Sequence, residues 1–108
     1  MANYTVQSVG QSGLNPNYVA VSASDTFDND GRTMLHVKNG GGSAVTVTVN
    51  AEKPCNQGFL HNVVVSVPAG AERMIGPFDK AFYVNESTGK ATVTYSATAT
   101  VTVAAIKF

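Results

Sequence analysis

The chain has 108 residues, seven Lys or Arg against seven Asp or Glu, and one cysteine. That length holds one domain around one core and is too short for two. Zero net charge supplies no field for nucleic acid or an anionic membrane surface, and the lone Cys55 excludes an internal disulfide.

Met1 to Gly10 lacks a basic start followed by an apolar run, so it reads as no signal peptide. Nowhere does the chain hold the run of about 18 apolar residues that a spanning helix needs. Tyr4 to Val9 predicts a strand, followed by the breakers Gly10-Gln11-Ser12-Gly13. Residues 1–17 carry few packing signals and are a candidate extended N-terminal arm, ordered against a partner; the alternative is a core strand.

Asp25, Asp28, Asn29, Asp30 and Gly31 come next. An EF-hand loop with Gly31 at its sixth position would start at Thr26 and end at Val37, so the motif fails at both ends. The group reads as a turn between strands, with a looser calcium loop as the alternative.

From Thr33 the pattern is regular. Thr33 to Lys38 alternates, placing Leu35 and Val37 on one face and Met34, His36 and Lys38 on the other. Asn39-Gly40-Gly41-Gly42-Ser43 then predicts a hairpin tip leading into Ala44–Ala51, where Val45, Val47 and Val49 alternate with Thr46, Thr48 and Asn50. Glu52 to Asn62 is a long polar connection holding Pro54, Phe59 and Leu60. Val63–Val67, Glu72–Ile75, Ala81–Val84, Ala91–Ser96 and the Val/Thr run within Ala97–Ala105 complete the set. They are punctuated by Pro68-Ala69-Gly70, Gly76-Pro77 and Asn85–Gly89.

No window shows a sustained 3.6-residue apolar stripe, and β-branched residues favour a pleated surface. The expectation is an all-β chain, residues 1–108 as a single β-sandwich or closely related barrel of about eight short strands. Its core should hold Leu35, Val37, Val45, Val47, Val49, Val65, Val67, Ile75, Val93, Tyr95, Val101 and Val103.

Chemistry is sparse. His36, His61 and Cys55 match no zinc spacing, and a structural site needs a fourth ligand. Cys55 would be a nucleophile only with a paired base in a pocket, and nothing in the sequence supplies that pairing. The loop Gly40–Gly42 lacks the lysine and the strand–loop–helix setting of a phosphate cradle. Phe82 and Tyr83 beside Lys80 are not followed by a basic stripe, so no nucleic-acid partner is expected. No catalytic residue, cofactor or metal is therefore assigned.

Three stretches taken in order carry a resemblance: NDGRTMLHVKNGG (Asn29–Gly41), VPAGAERMIGPF (Val67–Phe78) and the ending TVTVAAIKF (Thr100–Phe108). The chain from Asn29 onward resembles small head decoration, or capsid cement, proteins of tailed bacteriophages, encoded beside the major capsid gene. The resemblance implies a non-enzymatic virion protein, made in the host cytoplasm, that binds the major capsid protein on the shell; self-association there is a further candidate contact. Candidate capsid contacts are Tyr4, Val6, Leu14, Phe59 and Leu60, with ordinary core packing as the other reading of each. Two alternatives stand beside it. One is another virion part: tail, neck or head-fibre base. The other is a carbohydrate- or host-surface-binding module, for which Tyr83 beside Asn85 and Glu86 is the only candidate.

Overall fold

A computed structural model gives the fold and describes residues 3–51, 62–78, 83 and 88–107. These residues form ten strands and no helix. The strands are β1 (Asn3–Tyr4), β2 (Val6–Ser8), β3 (Val19–Ala20), β4 (Ser24–Asp28) and β5 (Thr33–Asn39). They continue as β6 (Val45–Val49), β7 (Val63–Val67), β8 (Glu72–Ile75), β9 (Lys90–Tyr95) and β10 (Val101–Lys107). Sheet one runs β1-β4-β9-β6-β7; sheet two runs β2-β10-β5-β8, with β3 also on β10. The chain is an all-β sandwich.

The Val/Thr alternation is the reason. In β6 the burial alternates with the sequence, Val45, Val47 and Val49 buried and Thr46 exposed. In β9 Ala91, Val93 and Tyr95 face inward, and in β5 Thr33, Leu35, Val37 and Asn39 do. All the expected core residues are buried except Val65, which is half-buried because β7 is the last strand of its sheet. Phe27 and Phe78 join this core, ring centroids 5.6 Å apart.

Ten strands replace the expected eight for local reasons. The stretch from Tyr4 to Val9 is not one strand. It breaks at Thr5, so β1 runs parallel to β4 in sheet one while β2 runs parallel to β10 in sheet two. Strands β3 and β4 carry too little alternation to be read from sequence. The expected strand Ala81–Val84 falls largely outside the described residues.

The glycine-rich loop is also not a hairpin tip: β5 and β6 lie in different sheets. Asn39 turns the chain across the sandwich. Its buried Nδ2 donates to Ser43 O at 2.8 Å and Val67 O at 3.0 Å, and its Oδ1 accepts from Gly41 N at 3.0 Å. Gly40 N adds a bond to Thr100 O at 2.9 Å. These bonds tie the loop to β7 and to the start of β10 instead of closing β5 onto β6.

Candidate interaction surface

The N-terminal segment has an inner and an outer part. Tyr4 is 3% exposed. Its hydroxyl donates to Asp25 Oδ2 at 2.5 Å and lies 2.8 Å from the Tyr95 hydroxyl. Ser22 N donates to the same Asp25 oxygen at 2.9 Å. Burial pushes both phenols well above their usual range, and the hydrogen bond to Asp25 adds to the rise at Tyr4. Both therefore stay protonated and able to donate. This network joins β1, β4 and β9 inside the core.

Tyr4 is thus a core residue and not a surface anchor, which corrects the expectation of a free arm for residues 3–8. Backbone pairing to both sheets and a satisfied buried hydroxyl leave it nothing to offer a partner. Val6 is half-buried and packs against the core. Leu14 is half-buried in the following loop. Phe59 and Leu60 lie outside the described residues, as do Cys55, His61, Lys80, Phe82, Asn85 and Glu86.

Residues 9–18 form a strap along sheet two. Val9 N donates to Lys107 O at 2.9 Å, and Gly13 N to Gly10 O at 3.0 Å. Gln7 closes the strap with two bonds of 2.9 Å, its Nε2 donating to Asn17 O and its Oε1 accepting from Asn17 N. Tyr18 then packs on His36, edge to face at 5.4 Å, with Lys38 Nζ 4.0 Å from the Tyr18 ring centroid. His36 Nε2 and Glu72 Oε1 are 3.0 Å apart, and a carboxylate only accepts, so Nε2 carries a proton. In the neutral ring Nδ1 then accepts the Tyr18 hydroxyl at 2.6 Å. His36 is held at the surface between two partners, as its place opposite Leu35 and Val37 foretold.

The strap leaves apolar surface at both ends. Val9 is 50% and Val19 48% exposed. Neither was a candidate from sequence: Val9 reads as the end of a strand, and Val19 sits in no visible pattern. The available signal at Val9 was a valine beside the turn residue Gly10.

Two clefts flank residues 3–5. The smaller, about 410 Å³, is lined by Tyr4, Thr5, Gln7, Asn17, Val19 and Ala104 among others. The larger, about 510 Å³, includes Asn3, Asp28, Asn29, Asp30, Gly89 and Lys107. Its carboxylates already face cations, Asp28 Oδ1 at 2.7 Å from Lys90 Nζ and Asp30 Oδ2 at 3.8 Å from Lys107 Nζ. The backbone N–H of Arg32 holds the Asp30 carboxyl below the usual carboxylate range. Asp25 is not in this group; it is drawn into the core. Among the described residues no three His, Cys, Asp or Glu side chains converge as metal ligands.

Comparison with known proteins brought no match: none to a family model, none to a curated protein and none to a solved structure.

Proposed function

We propose that this protein is a structural virion component that decorates and stabilises a bacteriophage capsid by binding the major capsid protein on the outer surface. The resemblance from Asn29 to Phe108 motivates the reading, and a surface poor in charge agrees with it. The observation that carries it is the pair of half-exposed valines, Val9 and Val19, at the two ends of a strap pinned to sheet two. Apolar contacts held in place beforehand cost little ordering entropy on binding. Several copies bridging neighbouring subunits would add avidity to individually weak contacts. On this reading the protein works by binding alone, with no catalytic step, cofactor or metal, and with neither nucleic acid nor membrane as partner.

The test is cosedimentation with purified shells that lack the protein, followed by thermal rupture of the shells. Covering the exposed halves of both valines is worth about 2 kcal/mol, so V9D/V19D should bind more than tenfold more weakly. The variant should unfold in urea at the parent's midpoint. Shell binding and a raised rupture temperature support the proposal. Binding to tails and never to shells would replace it with a tail, neck or head-fibre role. Enrichment on a glycan array without shell binding would replace it with the host-surface module.

A further inference from the structure

A sheet edge is a row of unpaired backbone donors and acceptors, and folded proteins usually blunt it with shortness, charge or irregularity. Three of the four edges of this sandwich are blunted. At the free end of sheet one, β1 has two residues. One edge of sheet two is split between the short strands β2 and β3. On the other, β8 carries Glu72 and Arg73, and Arg73 pairs with the buried Val37, so a charged side chain stands on the inward side of that strand.

The fourth edge has none of these devices. Strand β7 reads Val63-Val64-Val65-Ser66-Val67, without charge, proline or glycine. It pairs with β6 on one side, and no strand among the described residues pairs with the other. Its inward residues are incompletely covered: Val67 is buried, but Val63 and Val65 are only half-buried against the core. On the outward side Val64 is 62% exposed, the highest among the exposed large apolar side chains of the described residues.

We infer that β7 is a self-pairing edge: two copies of this protein join antiparallel through β7 about a two-fold axis at Val65, making their first sheets continuous. The sequence of the strand is its own complement in that register. Val63 meets Val67, Val64 meets Ser66, and Val65 meets its own copy. Every inward pair is then valine on valine, extending the core across the junction, and the outward pairs bring no charge together. A closed two-fold contact of this kind does not propagate into a fibre. The occupant is a second copy and not a foreign peptide because this one register covers both half-buried valines, and the edge bears no charged group to select another chain. A junction of one strand pair falls well below the roughly 1,600 Å² of a standard interface, so the free dimer should dissociate on the order of micromolar. The inference rests on the edge alone and is tested on the free protein, apart from the capsid reading.

Sedimentation equilibrium from about 0.1 to about 100 µM brackets that affinity. The expected result is a monomer–dimer equilibrium. V64K/S66K sets introduced lysines opposite each other twice across the junction and should weaken the dimer at least tenfold. V64K/S66E sets opposite charges there and should restore it. Both positions face solvent, so the variants should keep the parent's melting temperature. As a check on the unaltered chain, backbone amides within residues 63–67 should gain hydrogen-exchange protection as concentration rises. A wild-type protein monomeric throughout overturns the inference. So does a dimer indifferent to V64K/S66K, exchange in residues 63–67 that ignores concentration, or a monomer that captures extended apolar peptides instead.

Discussion

Replacing Tyr4 by Phe removes one oxygen and keeps the ring, so it isolates the buried network. The lost bond is the donation to Asp25, a side chain with no exposed surface. Hydrogen bonds to charged groups contribute about 1.5–3 kcal/mol. Ser22 N still reaches the same oxygen, which limits the damage. Tyr95 also loses its neighbour at 2.8 Å. The expected loss is about 2–3 kcal/mol, a large share of the roughly 5–15 kcal/mol that a domain has. At about 4–8 °C per kcal/mol for this size, the melting temperature should fall by roughly 10–20 °C. Urea unfolding followed by far-UV circular dichroism measures it, and the slope against urea should not change, because the buried area does not. The Tyr95→Phe variant and the double variant complete a cycle, and the two changes should couple because the hydroxyls touch. A loss under about 0.5 kcal/mol, the range of an ordinary surface change, would refute the reasoning. Simple additivity of the two changes would do so as well.

Alkali should unfold the protein through the same pair. Tyr4 and Tyr95 titrate higher in the folded protein than the ordinary value of 10.0, so their contribution is complete below pH 10 and is lost as pH rises further. Stability should fall by about 1.4 kcal/mol per pH unit for each tyrosine above that point, and Tyr4→Phe should remove one of the two increments in urea titrations at fixed pH. Gly76→Ala should cost about 2–4 kcal/mol by thermal melting. Gly76 has φ of +116°, and an added Cβ would stand 3.2 Å from Met34 Cα, Thr33 O and Phe78 Cε2. Gly42→Ala, with nothing within 4 Å, is the control and should melt like the parent.

What the sequence disclosed follows from which signals are local. Period-two alternation depends only on a strand having a wet face and a dry one, so Val45, Val47, Val49, Val93, Val101 and Val103 were assigned to the core correctly. Turn residues mark where a chain changes direction but not where it goes. Asn39-Gly40-Gly41 would suit a hairpin; the connection instead crosses between sheets because Asn39 finds acceptors on β7, a partner distant in sequence. The same limit hid Asp25 and Phe27. A segment reading Ser-Asp-Thr-Phe-Asp looks like a polar loop until Tyr4, from another part of the chain, supplies the donor that makes a buried carboxylate tolerable. Of the candidate contacts, Tyr4 failed for that reason, and Val6 and Leu14 came out half-buried. Val9 and Val19 were invisible because exposure at a strap's ends is a property of the packed sheet beneath it.

The N-terminal segment shows how stability and contact surface can be kept separate in a small chain without disulfides. Its inner residues close the sandwich. β1 adds to one sheet and β2 to the other, so the chain crosses between the layers at Thr5 and holds them together, with Tyr4 anchored to Asp25. Its outer residues leave the core alone. The strap is fastened by Gln7 to Asn17, by Tyr18 to His36 and by backbone pairing of Val9 and Val19 to β10, and none of these bonds uses a valine side chain. On the proposed reading, a change of either valine side chain weakens shell binding and leaves the buried core side chains in place. A change at Tyr4 does the reverse. Binding and stability should consequently respond to different halves of one continuous segment. Deleting residues 1–8 cannot test the contact, because it removes a core side chain and two strands along with it.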